Sequence, residues 1–382
     1  MKTQACLIAA MLGVSVQASA QSSVTLFGVL DEGVNYTNNA GGKSAWQTSS
    51  IDLTTSRWGL RGVEDLGGDL HAVFDVESGV SLDSGQALYG GRLFGYQSYV
   101  GLQSDSLGSV TVGRQYDSVT DVIGLATANG NWGGYLFSHP LDNDNTDATF
   151  HANNSVKYQS PVIAGFSATG LYALSNLAGG FATNRMYSAG IKYATDTLTI
   201  GAVFENLSAP GSTTVGAVPS DDYVTFAANN QKIYGIGATY GLGQSSFGLV
   251  YTHVVLQQPT SSVFIGSLGT PTANPDSLRF DNVEINWKYN IRPDLAVGAM
   301  YTYSLAHLAL GESRASLHWH QAGLLGQYLL SKRTAVYSQV VYQQVSGGNT
   351  GTSLDHAYIP GSAGPSSNSH QVVARIGINH SF

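Results

Sequence analysis

Apolar and polar side chains alternate along the last fourteen residues of the chain, Ser369 to Phe382. Strand side chains point to opposite faces in turn, with a period of two. One face carries the mostly apolar set Val372, Ala374, Ile376, Ile378, His380 and Phe382. The other carries Val373, Arg375, Gly377, Asn379 and Ser381. The pattern predicts a terminal strand with one oily and one polar face.

The same alternation recurs in pairs of segments along the chain. A short turn rich in Gly, Pro, Asp and Ser separates the members of each pair, as turn geometry favours. These turns fall near 65–69, 105–108, 161–165, 195–197, 241–244, 291–294 and 331–334. Longer polar stretches separate the pairs, at about 37–50, 83–91, 117–151, 176–184, 208–229, 258–277, 306–316 and 346–368. Seven turns and eight loops predict sixteen strands.

This pattern predicts an all-β fold, a sixteen-stranded antiparallel transmembrane β-barrel. Closure satisfies every backbone group in lipid, and sixteen strands leave room for a water-filled channel. In 56–64, Trp58 and Leu60 lie on one strand face and Arg57 and Arg61 on the other, so the face with the arginines should contact water. No linker interrupts the pattern, and we expect a single barrel domain, 21–382.

Residues 1–20 read as a cleaved signal peptide. Lys2 is followed by a short apolar run, and Ala18-Ser19-Ala20 fits the small-residue cleavage pattern. The run is shorter than the ~20 residues of a spanning helix. Cys6 would leave with the signal, so the mature chain would carry no disulfide. We therefore expect export, with the barrel inserted in a bacterial outer membrane.

Composition supports this class. Glycine makes up 46 of 382 residues, about 12% against a usual ~7%, and only 11% of residues are charged against a usual ~25%. Removing Lys2 changes the formal charge from −8 to −9. A nucleic-acid partner is therefore not expected, because such binding depends on excess positive charge.

Four segments carry a resemblance to a known family: 22–34, 56–79, 108–117 and 153–167. Together with the terminal Phe382, they resemble the general diffusion porins of the Gram-negative porin family typical of betaproteobacteria. The resemblance implies a homotrimer that passes small hydrophilic solutes and ions. It also implies that outer-membrane lipid and the barrel-assembly machinery are partners, and that Phe382 is part of the assembly signal.

The resemblance further implies that the third loop, 117–151, folds into the barrel and narrows it. Opposed charges across a narrow aqueous pore select ions by sign. The expected acidic residues on the loop are Asp117, Asp121, Asp142, Asp144 and Asp147. The expected basic residues of the facing wall are Arg57, Arg61, Arg114 and Lys157. Strict alternation would turn Arg114 towards lipid, so this expectation requires a phase shift at Gly113.

Two positions depart from the family pattern where selectivity is set. Tyr96 and His151 stand where relatives commonly carry arginines, and of three such basic positions only Arg57 is kept. We therefore expect weaker anion preference than in those relatives, leaning towards cations.

Other motifs give little support to other chemistry. Gly42-Lys43-Ser44 lacks the first glycine of a phosphate-binding loop. Asp142, Asp144 and Thr146 resemble the start of a calcium loop without its glycine or terminal glutamate, which leaves a surface ion open. His318 and His320 lack a third ligand. We expect no resident metal or cofactor.

Two other functions compete with a channel. One is a barrel enzyme of the outer-membrane phospholipase type, which would need a Ser/His pair on an outer wall. The other is a secreted carbohydrate-binding β-sandwich, which would need a dry core between two sheets. We expect no catalytic site.

Overall fold

The period-two pattern becomes a closed antiparallel sheet in the computed structural model, which describes residues 23–382. Sixteen strands form its wall. They are β1 (Ser23–Ala40), β3 (Arg57–Gly67), β4 (Leu70–Gly79), β5 (Gln97–Ser104), β6 (Gly108–Gln115), β7 (Ala152–Gln159), β8 (Phe166–Ala173), β9 (Arg185–Ala194), β10 (Leu198–Ser208), β12 (Asn230–Leu242), β13 (Ser245–Gln257), β16 (Ser277–Arg292), β17 (Leu295–Leu310), β18 (Ser313–Leu329), β19 (Thr334–Ser346) and β20 (His370–Ser381).

The remaining elements are short. A further strand, β2 (Lys43–Ser49), pairs with β1 in the wall, and three short strands lie in the loops: β11 (Phe226–Ala227), β14 (Ser261–Ser262) and β15 (Gly266–Ser267). The α-helical pieces are α1 (Leu88–Gly91) and α2 (Ser118–Val122). Single 3₁₀ turns cover Gly124–Ala126, Tyr135–Phe137, Pro140–Asp142 and Ser353–Asp355, and a π turn covers Asn129–Gly133.

The first and last strands close the ring. β1 pairs with β20 from Val29↔Ser381 to Thr37↔Val373, and its N-terminal half pairs with β3 from Ser23↔Val63 to Val29↔Arg57. The backbone of Phe382 continues this pairing, exchanging hydrogen bonds with Gly28. The predicted sixteen-stranded barrel is confirmed, and a two-sheet sandwich is ruled out for the described residues.

Side chains alternate between the two faces as the pattern predicts. On β20 the outward Ile376 is 72% exposed, whereas the neighbouring Arg375 is 2% exposed and points inward. Outward positions elsewhere are also large and apolar, such as Val100 and Leu249. Inward positions are often polar, such as Gln321 and Gln343. An oily exterior therefore surrounds a polar interior.

The seven predicted short turns all join neighbouring strands at one end of the barrel. Two of the eight predicted loops were wrong. Residues 37–50 form mostly a β1–β2 hairpin around Gly41 and Gly42, and residues 306–316 form the tip of the β17–β18 hairpin around Gly311 and Glu312. The other six loops gather with these two hairpin tips at the opposite end, here called the long-loop end.

The second barrel strand is interrupted. β2 pairs with the C-terminal half of β1, and β3 pairs with its N-terminal half. β2 and β3 therefore occupy one strand position in the wall. Residues 50–56 between them leave the wall. They fold into the barrel, as described below.

The predicted signal peptide, residues 1–20, lies outside the described residues. In the part of the chain that is described, no helix is both long enough and apolar enough to cross a membrane.

Candidate functional site: the barrel lumen

The loop that follows β6, residues 116–151, lies inside the barrel. Its apolar side chains pack against glycines that face inward from the wall. Trp132 sits so close to Gly298 that a Cβ added there would lie 2.5 Å from the indole ring. Further contacts of this kind pair Val122 with Gly190 and Gly201, Ile123 with Gly235, Ala126 with Gly237 and Phe137 with Gly323. Missing side chains on the wall thus make room for the loop.

Polar groups on the wall hold the loop. The ring of His139 lies between two carboxylates, with Nδ1 2.7 Å from Asp144 and Nε2 3.1 Å from Glu284. Burial alone would lower the pKa of His139, but the two carboxylates raise it well above its ordinary value. The side chains of Gln321 and Gln339 donate to carbonyls of the loop, at 2.9 Å to Ser138 and 2.5 Å to Gly133. These polar contacts fix the loop to strands β16, β18 and β19.

Segment 50–56 is a second inward element, which the sequence analysis did not predict. The Asp52 carboxylate accepts hydrogen bonds from Arg375 (2.7 Å) and Asn35 (2.8 Å), and it is fully buried. Its carbonyl accepts a 2.6 Å bond from the Tyr135 backbone N–H of the inward loop. Arg375 also pairs with Asp31 at 2.8 Å. The last strand thus anchors the segment, and the segment touches the loop.

A cavity of about 520 Å³ remains between these two inward elements and the wall. Its charged lining residues are Arg57, Asp147 and Lys288. The lining also includes aromatic and aliphatic side chains: Tyr96, Tyr116, Tyr135, Trp132, Leu53 and Leu125. Both inward elements and strands β3, β16, β18 and β20 contribute residues to its lining.

Two of the four predicted basic residues point into the lumen. Arg57 borders the cavity and donates to Glu77 at 2.8 Å, with its guanidinium 4.5 Å from the centre of the Tyr96 ring. Arg61 lies opposite Asp75 in the β3–β4 register, and its guanidinium stacks 3.6 Å from the centre of the Phe27 ring.

The other two basic residues are engaged away from the cavity. Lys157 forms an ion pair with Asp121 and donates to the Tyr116 carbonyl at 3.0 Å. At Gly113 the β6–β7 register shifts, as the sequence analysis required. Arg114 nevertheless does not reach the cavity lining. It is 7% exposed and pairs with Asp222 at 2.6 Å.

Of the five predicted acidic residues, Asp147 lines the cavity and Asp121 pairs with Lys157. The other three, Asp117, Asp142 and Asp144, are fully buried within the loop. Their oxygens accept hydrogen bonds from loop and wall groups, so the expectation that they face the pore is not met.

Burial accounts for the pKa values of these carboxyls. It raises the pKa of Asp117 to about 6, although the Thr120 N–H and Asn145 amide oppose the shift. Burial and the nearby Asp144 raise the pKa of Asp142 to about 7. Asp144 itself has a lowered pKa, because its contact with His139 outweighs its burial. These acids hold the loop together.

Tyr96 and His151 meet in an aromatic cluster on the wall. Their ring centres are 5.1 Å apart, and Tyr116 lies 4.8 Å from His151 and 5.7 Å from Tyr96. Tyr89 packs edge-on against both, at 5.7 Å and 4.9 Å. His151 is fully buried, and burial and the nearby Arg114 and Arg57 hold its pKa well below the ordinary value. Two neutral rings therefore occupy these positions beside Arg57.

Within residues 23–382, no group of three or more His, Cys, Asp or Glu side chains is arranged so that it could hold a metal ion. Asp144 binds His139, Thr146 and Thr252 (2.5 Å), so the calcium-like spacing noted in the sequence does not bring ligands together.

The sequence carries only weak signals for two further residues of the lumen, Lys288 and Asp52. Lys288 lies on β16, and only strand phase could have suggested that it faces inward. Asp52 lies in a polar stretch that reads as an ordinary loop. Its partner Arg375 is 323 positions away, so no local pattern connects them.

A closed barrel with an oily exterior and an open, polar lumen defines a membrane channel protein. Comparison with known proteins identifies the family. The model of the Gram-negative porin family matches residues 5–348, and the chain belongs to that family. It is an outer-membrane porin, and the family indicates a channel rather than an enzyme.

Two curated relatives are similar along most of their length. The chain is 30% identical over 298 residues to an outer membrane porin protein of Bordetella pertussis, covering 72% of this chain and 73% of that protein. It is 29% identical over 381 residues to outer membrane porin protein 32 of Delftia acidovorans, covering 98% of each.

Solved structures share the fold. The anion-selective porin from Comamonas acidovorans matches with a TM-score of 0.70 and 22% identity, over 95% of this chain and 100% of that one. The trimer form of OmpT from Vibrio cholerae matches with a TM-score of 0.64 and 14% identity, over 94% of this chain and 99% of that one.

Proposed function

We propose that small hydrophilic solutes and ions diffuse passively through this barrel, and that loop 116–151 and segment 50–56 together narrow the path. The observation that carries the proposal is the cavity of about 520 Å³ left between these elements and the wall. Its charged lining residues are Arg57 and Lys288 on the wall and Asp147 on the loop, and burial raises the pKa of Asp147 well above its ordinary value. Charged groups at a narrow aqueous passage filter ions by sign.

We further propose that this filter is weak and leans towards cations. Arg57 and Lys157 are each paired with a carboxylate, which cancels much of their field. Arg114 is paired with Asp222 away from the cavity. Tyr96 and His151 add no charge at neutral pH, because the pKa of His151 lies well below its ordinary value. Among the cations that line the cavity, only Lys288 has no ion pair within residues 23–382, so the excess positive charge that would attract anions is small.

Single-channel recording in a planar bilayer under a salt gradient tests both statements. We expect discrete conductance steps and a reversal potential that is near zero or has the sign of cation preference. A protein that forms no steps would contradict the channel itself. A reversal potential that clearly favours anions would contradict only the weak filter.

The assembly is a separate part of the proposal. We propose a homotrimer in outer-membrane lipid, formed after removal of residues 1–20 and insertion of domain 21–382 by the barrel-assembly machinery with Phe382 in its signal. The trimer form of Vibrio cholerae OmpT supports the oligomer. Conductance steps grouped in threes, and a heat-modifiable oligomer on gels, are the expected results. A monomer at all detergent concentrations would contradict it.

The transport proposal includes no catalytic step and no cofactor. Incubation of the purified protein with phospholipid and calcium tests the phospholipase alternative. We expect no release of fatty acid, and release would contradict a purely passive channel.

A further inference from the structure

Three polar side chains form a row on the outer face of the barrel, at the long-loop end of β16, β17 and β18. Arg279 is the register partner of His307, and His307 is the register partner of Ser316. Arg314 lies on the same face of β18, two positions nearer the hairpin tip. All four side chains are exposed. Adjacent strands lie ~5 Å apart, so Arg279 and Ser316 stand about 10 Å apart across β17, and long side chains from both ends could reach one small ligand.

These basic groups are not neutralised by carboxylates. Among the described residues neither Arg279 nor Arg314 forms an ion pair. Arg314 donates only to the carbonyls of Gly311 (2.7 Å) and Ser313 (2.8 Å). His307 Nδ1 lies 3.0 Å from the Ser316 hydroxyl.

The acids in this region have other partners or other positions. Asp276 accepts the Gly311 N–H at 3.0 Å. Asp281 binds Tyr251 (2.7 Å) and His253 (2.8 Å) on the neighbouring strand. Glu312 is at the hairpin tip. The two guanidinium groups of the row therefore have no carboxylate in direct contact among the described residues.

The four side chains also enclose space. A concave site of about 230 Å³ is lined by Arg279, His307, Arg314 and Ser316, with Ser277 at its edge. Because it opens on the outer face of the wall, solutes in the lumen do not reach it.

The height of the row places it at the edge of the bilayer. From Leu295, beside the short turn, to His307 the strand climbs roughly 30 Å at the usual rise and tilt, slightly more than the ~25 Å apolar band of such barrels. The outward side chains just below the row, nearer the short turns, agree with this position at the membrane edge. Tyr303 pairs with His318 (2.7 Å) and Tyr301 with His320 (2.6 Å). Aromatic side chains with polar tips mark the membrane interface.

Apolar residues lie beside and below this belt: Val283 and Ile285 are the register partners of Tyr303 and Tyr301, and Leu324 pairs lower down with Ala299. Val283, Ile285 and Leu324 face outward and are 42%, 56% and 57% exposed. A molecule that covers both levels must have an anionic head at the row and hydrocarbon along the strands beneath it.

We propose that this outward site binds the phosphate group of a membrane lipid in the leaflet at the long-loop end. Two guanidinium groups, one imidazole and one hydroxyl supply donors to phosphate oxygens, and arginine is well suited to phosphate. Basic pockets at the membrane surface bind phosphorylated headgroups in this way. The lipid's acyl chains lie against Val283, Ile285 and Leu324.

Binding to purified trimer or monomer in neutral detergent tests the proposal. The probes are dioctanoyl phosphatidic acid, dioctanoyl phosphatidylcholine and inorganic phosphate. The test variant is Arg279→Gln with Arg314→Gln. The matched control is Lys332→Gln with Arg333→Gln, which removes two charges at the short-turn end. Each protein is first checked for conductance and heat-modifiable migration, which report folding independently of lipid.

We expect the wild type and the control to bind phosphatidic acid, and the test variant to bind it about 30-fold more weakly, at roughly fivefold per basic residue. Phosphatidylcholine should bind weakly to all three. Equal binding of phosphatidic acid by test variant and control would overturn the site. Inorganic phosphate binding as tightly as the lipid would overturn the assignment to a lipid. If the test variant conducts normally, both of these negative results concern only the lipid site and not the proposed channel function.

Discussion

The guanidinium of Arg375 and the carboxylate of Asp52 lie 2.7 Å apart, both shielded from water, although 323 positions separate them in the chain. Arg375 belongs to the last strand, and Asp52 to the inward segment that interrupts the second. A second carboxylate, Asp31 on β1, lies 2.8 Å from the same guanidinium. This one side chain therefore joins barrel closure to the shape of the lumen.

Replacing Arg375 tests that relationship. Arg375→Met would leave two buried carboxylates without a cation, and removing one partner of a buried ion pair typically costs about 3–5 kcal/mol. We expect the variant to unfold at clearly lower denaturant concentration than the wild type. Ile376→Val on the outward face is the control, with a change under about 1.5 kcal/mol. Unfolding at the same denaturant concentration as the control would contradict the anchoring role.

Asp117 predicts a pH dependence. Burial raises the pKa of this carboxyl to about 6 from an ordinary 3.8, so the folded state holds its proton more tightly than the unfolded state. The protonated Asp117 therefore favours the folded state fully below about pH 4, and this contribution to the free energy of unfolding is lost as the pH rises to about 6. Asp117→Asn should remove this loss, so the variant should gain roughly 3 kcal/mol relative to wild type between pH 4 and 7. Denaturant titrations at several pH values measure the difference. A constant difference between the two proteins would show that Asp117 does not titrate in this range.

The glycine at 298 predicts an effect on conductance. Gly298→Ala would place a methyl group 2.5 Å from the Trp132 ring, so the inward loop must move. Gly326→Ala is the matched control on the adjacent strand, because its nearest atom is 3.6 Å away. We expect altered single-channel conductance or increased current noise for the first variant only. Identical traces for both would mean that the loop does not border the conducting path.

Arg57 and Tyr96 predict opposite shifts in ion preference. Removing one unit charge about 7 Å from a passing ion changes its energy by about 0.6 kcal/mol in water, or roughly threefold in relative permeability. Arg57→Gln should move the reversal potential towards cations, and Tyr96→Arg towards anions. Arg292→Gln, which loses an exposed arginine near the short turns, should cause no shift. Shifts of the same sign for both lumen variants would exclude an electrostatic filter at this site.

Phe382 predicts an effect on assembly. Its backbone pairs with Gly28, and its ring covers the space that a side chain at Gly28 would fill. Phe382→Ala should lower the fraction of protein that is heat-modifiable in outer-membrane preparations. Ile376→Ala, which removes a more exposed side chain from the same face, is the comparison. Similar yields for the two variants would indicate that the terminal aromatic has no special role.

Strand alternation predicted the barrel because every strand has one lipid face and one lumen face. It failed at the β17–β18 tip, around Gly311, because the outer face of strands that rise above the bilayer meets water and is therefore polar. Polar side chains such as Arg314 and His307 then resemble a loop. The phase shift at Gly113 could be predicted, since Arg114 would otherwise face lipid.

The lumen was less predictable. Asp144 resembles a pore-lining acid in the sequence, yet its partners are Thr252 and His139, and no local signal reveals a contact with a strand more than a hundred positions away. Tyr96 and His151 were singled out one by one, whereas their packing together depends on two loops meeting.

The interruption of the second strand has a consequence for how such a protein can change. Segment 50–56 lies within the barrel, where antibodies, phages and proteases outside the cell cannot contact it. If segment 50–56 narrows the path as proposed, substitutions there change what passes through the barrel without altering the exposed loops. The exposed loops can then vary independently of permeability.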